Sequence, residues 1–202
     1  MSVPLPPLPP FGPETPSGRN VVDVVAGEHR DLLALCADLL DDTVPEARRR
    51  RLAQVVVASL ARHLSAEEQY LYPAIRVTVP NGPQLADREL AEDDALMVTL
   101  RELQTAGGDE LRAVAATLCT QVRRHAEAAG EELLPLLLQL APADDLIRLG
   151  NRFETAEEAA PTRPHPATPS TPPWNKVVDP AMGVWDKMRD ALTRRVTYTD
   201  KL

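Results

Sequence analysis

The residues best suited to do chemistry are a histidine and a glutamate four positions apart, His63 and Glu67, in the stretch RHLSAEEQYLYPAI that covers residues 62–75. On a helix, this spacing places the imidazole and the carboxylate on one face, one turn apart. Such a face can contact water, a partner side chain or a metal ion. The pair alone leaves all three open, and the choice depends on the helices around it.

Apolar residues recur every three or four positions through most of the chain, which predicts helices. His29 and His125 fall within the apolar faces of the first and fourth of these, so they are expected to point inward with His63. Pro73 and Pro135 each follow a histidine by ten residues and predict a kink or local break in the second and fourth helices. The predicted helices cover residues 19–41, 43–78, 84–105, 109–140, 142–159 and, as an amphipathic C-terminal helix, 180–195.

Long helices joined by short loops favour an all-α fold, an antiparallel up-down four-helix bundle with extra C-terminal helices and proline-rich tails. Aromatic residues make up 3% of the chain against 44% hydrophobic residues, so the core must consist of leucine, valine and alanine. The predicted domains are a proline-rich N-terminal arm (1–18), the helical bundle (19–159), and a proline-rich linker with the C-terminal helix (160–202).

Composition excludes several function classes. A net charge of −8 argues against a nucleic-acid partner, and no run approaches the ~18 consecutive apolar residues of a membrane span. The N-terminus lacks the features of a signal peptide, so we expect a cytoplasmic protein in which Cys36 and Cys119 are free, buried thiols. The PLPPLPP run in the N-terminal arm is either a plain flexible arm or a ligand for a proline-binding protein partner.

The two halves of the chain resemble each other. The segment from His63 to Pro73 aligns with the segment from His125 to Pro135, and Ala129 stands where the first copy has Glu67. More weakly, Gly27-Glu28-His29 aligns with Glu92-Asp93-Asp94. The chain is therefore interpreted as a duplicated helical hairpin.

A histidine on the first helix, HxxxEE followed by LYP on the second, and a second such half resemble the hemerythrin-like, or HHE cation-binding, domain over about residues 20–140. Complete members of that family hold two irons between four helices. The resemblance implies that His29, His63, Glu67 and His125 are metal ligands. An acid replaces the third-helix histidine, Asp94 in the favoured register and Asp93 in the other.

The ligand set implied by the resemblance is incomplete for two irons. Ala129 occupies the place of the fourth-helix carboxylate, and Glu132 lies two turns beyond His125, about 10 Å along the axis. The expected metal ligands are thus His29, His63, Glu67, Asp94 and His125. They predict iron, either mononuclear or as an incomplete di-iron site, with zinc and manganese as alternative ions.

Three functions follow as hypotheses. The first is a metal-binding protein that handles or senses O₂, nitric oxide or peroxide, with metal affinity falling below about pH 6 as histidines become protonated. The second is an iron-dependent oxidase or oxygenase that binds a small-molecule substrate at open positions, in a pocket lined by Ala129 and Gly130. The third is a metal-free helical interaction module, in which the same polar residues form a hydrogen-bond network. No catalytic residue is assigned.

Overall fold

The computed structural model describes residues 16–164, 182–183, 186–187, 189–190, 195–199 and 202. Within these residues the secondary structure is helical and contains no strand, which agrees with the predicted all-α class. The helices are α1 (Val21–Leu40), α2 (Glu46–Ala66), α3 (Tyr72–Thr78), α4 (Gly82–Thr105), α5 (Gly108–Ala128), α6 (Leu134–Leu140) and α7 (Ala143–Ala159).

The ends of α1 are fixed by two side chains. Asn20 caps its N-terminus, with its side-chain oxygen accepting a hydrogen bond of 2.9 Å from the backbone N–H of Asp23. At the other end, the buried guanidinium of Arg49 donates to the backbone carbonyls of Leu39, Asp41 and Val44. These caps set the position of the helix that carries His29.

The second and fourth predicted helices each contain one π-helical turn immediately before the proline. The first π-turn, Glu67–Leu71, joins α2 to α3, and the second, Ala129–Leu133, joins α5 to α6. Pro73 and Pro135 lack a backbone N–H, and their rings crowd the carbonyl four residues back. Widening the preceding turn relieves both problems, so each helix continues where the sequence predicted a kink or break.

The connection between α3 and α4 is a tight turn over residues 79–81. Asn81 has a left-handed backbone (φ 57°), a conformation that asparagine tolerates better than most residues. A Cβ atom on Gly82 would stand 2.2 Å from the carbonyl oxygen of Ile75, so only glycine fits there. The turn therefore brings the start of α4 close against the end of α3.

Two apolar clusters fill the core, and the polar residues lie between them. On α1, Val21, Val24 and Val25 belong to one cluster, and Leu32, Leu35 and Leu39 to the other. His29 separates the two sets. In α4, Ala86 lies in the first cluster and Leu96, Leu100 and Leu103 lie in the second, with Asp93 between them. The apolar residues of α2 and α5 lie mainly in the second cluster, and those of the π-turns, α3 and α6 lie in the first, so the buried histidines fall in a polar layer at the boundary between the clusters.

The described parts of the C-terminal region contact the bundle. Val196 donates its backbone N–H to the Gln54 side chain (3.1 Å), and Arg62 donates to the Thr197 carbonyl (3.2 Å). Met182, Gly183, Asp186, Lys187, Arg189 and Asp190 have helical backbone, whereas the apolar residues predicted for this helix, Val184, Trp185, Met188 and Leu192, lie outside the described residues. The N-terminal arm through residue 15 and residues 165–181 of the proline-rich linker also lie outside them. Among the described residues, none of the helices has the length and apolar composition to cross a membrane.

Candidate metal centre

Four donor residues meet in the polar layer. His29 on α1, His63 on α2, Glu67 at the start of the first π-turn and His125 on α5 are all buried, and one ligand atom of each lies within 4.8 Å of the others. The three imidazole rings meet edge to face, with centroids 4.8–5.9 Å apart. The structure thus brings together four of the five residues predicted to bind metal.

The spacing of the donor atoms fits coordination of one ion. Nε2 of His29 and Nε2 of His63 are 2.9 Å apart, and the two oxygens of Glu67 lie 3.3 Å from His63 Nε2 and 3.2 Å from His125 Nε2. The longest of these separations, between His29 Nε2 and Glu67, is 3.7 Å. Two donors at about 2.1 Å from one ion lie about 3.0 Å apart at a right angle and about 3.4 Å apart at a tetrahedral angle.

Several buried polar atoms in this layer make no hydrogen bond. They are Oε1 of Glu67, both ring nitrogens of His125, and Oδ1 of Asp93. Burying such an atom unpaired costs about 1–3 kcal/mol, so a hydrogen-bond network does not account for the arrangement. A divalent cation would satisfy Glu67 and His125 together. The donor set, three imidazoles and one carboxylate, suits iron, zinc or manganese.

A hydrogen bond at Nδ1 of His63 also bears on metal binding. Oε2 of Glu28 lies 2.6 Å from Nδ1 of His63. Because a carboxylate can only accept, the hydrogen of neutral His63 sits on Nδ1, and Nε2 keeps a lone pair directed towards the other donors. Glu28 therefore prepares His63 to bind a cation through Nε2.

The sequence matches one known protein family over most of the helical bundle. The sequence model of the Hemerythrin HHE cation binding domain matches residues 20–137, more than half of the chain. The chain belongs to the hemerythrin HHE cation-binding domain family. It is also 23% identical over 178 residues to an uncharacterized hemerythrin-like protein of Schizosaccharomyces pombe, covering 87% of each chain. No solved structure matches it.

The third-helix acid of this hemerythrin-like domain differs from the favoured prediction. Asp94 is exposed, whereas Asp93 is fully buried, so the expectation that Asp94 joins the donors is wrong. Adjacent helical residues point about 100° apart, so only one of the two can face the core. Oδ1 of Asp93 lies 3.4 Å from Nδ1 of His125, on the far side of that ring from Glu67.

Tyr72 links the two buried acids. Its hydroxyl lies 2.7 Å from Oδ2 of Asp93 and 3.1 Å from Oε2 of Glu67, and it can donate its one hydrogen to either. Tyr70, one turn past Glu67, is only partly buried and packs against the apolar cluster instead. The π-turn adds one residue to the helical turn, which rotates Tyr72 towards the donors.

Electrostatics distinguish the three histidines. Burial lowers the pKa of His29 to about 4, although the nearby carboxylate of Glu67 acts to raise it. Burial also opposes charge on His63 and His125, but the carboxylate of Glu67 outweighs it and raises the pKa of both, with Glu28 assisting at His63 and Asp93 at His125. Against the effect of its own burial, the charges of His63 and His125 lower the pKa of Glu67. Glu67 is therefore ionised in the polar layer.

The fourth helix provides only one donor. Ala129 is buried at the position equivalent to Glu67, and Glu132 forms an ion pair of 2.8 Å with Arg88, directed away from the donors. Gly130 is exposed, so it does not line a pocket beside the histidines as the oxygenase hypothesis required.

Sequence reasoning missed three contributors, Glu28, Tyr72 and Glu157. A signal existed for Glu28, because the internal alignment pairs it with Asp93 and both prove to contact a histidine of the following helix. No comparable signal marks Glu157, which lies outside the repeated segment.

Proposed function

We propose that this hemerythrin-like chain binds a single transition-metal ion through His29, His63, Glu67 and His125, with iron(II) as the physiological ion. The observation that carries the proposal is the approach of four buried donor atoms from three helical units to within 4.8 Å of one another. The proposal includes an antiparallel up-down arrangement of the four long helical units, because the connections between them are only two to five residues long.

One ion rather than two is supported by the positions that lack a donor. Asp94 is exposed at the place that aligns with His29, and Ala129 stands at the place that aligns with Glu67. On α4, a second ion would find only buried carboxylates, Asp93 and the Arg88-paired Glu89, and no histidine. Iron pairs usually need bridging carboxylates and five or six donors each.

Each residue of the centre has a distinct role. The three histidines supply neutral nitrogen donors, and Glu67 supplies the negative charge that balances the cation. Glu28 and Asp93 hold the Nδ1 side of His63 and His125, which directs Nε2 of each ring inward. The apolar clusters on either side exclude water from the layer.

Iron(II) held by four protein donors would offer open coordination positions for O₂, nitric oxide or peroxide. We therefore propose that the protein senses or handles one of these small molecules. The four donors are buried between the two apolar clusters, which favours a small ligand, and so this role, over the larger substrate of an oxygenase.

The test is the metal content of the full chain. Protein purified without a histidine tag should contain close to one iron, zinc or manganese ion per chain by elemental analysis. The metal-free protein should take up one equivalent of Fe(II) anaerobically. Nitric oxide added to the Fe(II) form should then change its electron paramagnetic resonance spectrum. A folded chain that takes up no ion would contradict the proposal and favour the interaction module, and two tightly bound ions would contradict the single-ion site.

A further inference from the structure

Helix α7 places an acidic residue beside the metal centre from outside the family segment. Glu157 lies on α7, twenty residues beyond the end of the segment that matches the family. A carboxyl oxygen of Glu157 lies within 4.8 Å of one of Glu28, which in turn contacts Nδ1 of His63. Ligand atoms of Glu28, His63 and Glu157 all lie within 4.8 Å of one another.

Two carboxyl groups can form a hydrogen bond only if they share a proton. Glu28 accepts a hydrogen bond from Nδ1 of His63 (2.6 Å), so its carboxylate is the acceptor and the nearby Glu157 is the partner that donates the shared proton. Burial raises the pKa of Glu157 to about 9, in agreement with this assignment.

The contact between the two acids lies at the floor of a cleft. The cleft has a volume of about 410 Å³ and is lined by α1, α2, α7 and the described C-terminal residues Tyr198 and Thr199. The guanidinium of Arg62 stacks over the Tyr198 ring at 4.7 Å on one side of it. Glu158, the next residue of α7, lines the same cleft but is exposed.

We propose that Glu157 is a positioning residue for the metal centre, which holds Glu28 against Nδ1 of His63 and so fixes the direction of His63 Nε2. The inference rests on the proposed metal site and adds α7 to it. Without the hydrogen bond from Glu157, the Glu28 carboxylate can turn into the cleft and be solvated there. His63 then loses its fixed orientation, and the affinity for metal falls.

Three variants separate this role from simple packing. Glu157→Gln keeps a donor for Glu28, Glu157→Leu removes it, and Glu158→Leu changes the neighbouring exposed acid of the same helix. The probe is Co(II), added to the metal-free full-length protein. The measurements are its dissociation constant, its visible absorption spectrum, which reports the ligand geometry, and the melting temperature of each metal-free protein.

We expect Glu157→Leu to weaken Co(II) binding by about 10- to 100-fold, the usual effect of removing a residue that orients a ligand, and to change the visible spectrum. Its metal-free melting temperature should be unchanged or higher, because an apolar side chain replaces a partly buried acid that lies beside a second acid. Glu157→Gln should restore binding and spectrum, and Glu158→Leu should match the unaltered protein.

Two results would overturn the inference while leaving the metal site intact. One is unchanged Co(II) binding and spectrum in Glu157→Leu. The other is equal loss of binding in Glu157→Gln and Glu157→Leu with a lower metal-free melting temperature in both, which would assign Glu157 a packing role. Failure of the unaltered protein to bind any Co(II) would instead overturn the metal-site proposal itself, and this inference with it.

Discussion

The carboxylate of Asp93 lies 3.4 Å from Nδ1 of His125, on the side of the ring opposite to Glu67. Glu28 stands in the same relation to His63, at 2.6 Å. In each half of the chain, an acid from the first helix of a hairpin thus contacts the histidine of the second. Asp93 therefore acts as the partner of His125, and α4 contributes no counterpart of His29.

This relation predicts different effects for two adjacent substitutions. Asp93→Asn keeps the shape of the side chain but removes the negative charge that lies 3.4 Å from Nδ1 of His125, so metal affinity should fall by about 10- to 100-fold. Asp94→Asn is the matched control, since Asp94 is exposed, and should leave affinity within about twofold. Isothermal titration with Co(II) measures both. Equal effects of the two substitutions would contradict the assignment.

Sequence periodicity predicted the helices and the inward positions of His29, His63, Glu67 and His125, because each lies in register with apolar neighbours. The alignment of the two halves favoured Asp94 over Asp93, because the polar face of α4 contains several acids and a one-residue shift in register rotates the assignment by about 100°. From the sequence, Pro73 and Pro135 were each predicted to kink or break the helix that contains them. The π-turns widen the helix before Pro73 instead, and this rotation directs Tyr72, rather than Tyr70, towards Glu67.

Tyr72→Phe should destabilise the metal-free protein. The hydroxyl lies within hydrogen-bond distance of Asp93 and Glu67, and its removal leaves a buried carboxylate oxygen without a donor, at a cost of about 1–3 kcal/mol. Urea unfolding monitored by circular dichroism measures the loss. The metal-loaded form should lose less, because the cation stabilises Glu67 directly. An equal loss of unfolding free energy in the metal-free and metal-loaded proteins would show that the ion does not stabilise the Glu67 carboxylate.

His63→Ala should lower the metal content by more than half. The substitution removes one of four donors and leaves Glu28 without its imidazole partner. Elemental analysis and the melting temperature of protein reconstituted with Fe(II) test this, and both should fall relative to the unaltered chain. The stabilisation conferred by added Fe(II) should shrink as well, since ligand binding stabilises the folded state in proportion to affinity. Unchanged metal per chain would argue against His63 as a ligand.

Metal affinity should fall with decreasing pH, starting above the range expected for an ordinary histidine. An imidazole must be neutral to bind an ion. The nearby carboxylate of Glu67 raises the pKa of His63 and His125 above 6.5, so protons compete at these two rings from above pH 6.5 downward, whereas His29, with a pKa of about 4, competes only in stronger acid. The dissociation constant for Co(II) should therefore rise by about tenfold or more between pH 8 and pH 6. Each proton that the ion must displace raises this constant by up to about tenfold for every pH unit. A Co(II) dissociation constant that does not change between pH 8 and pH 6 and rises only below pH 6 would mean that Glu67 raises the pKa of neither His63 nor His125.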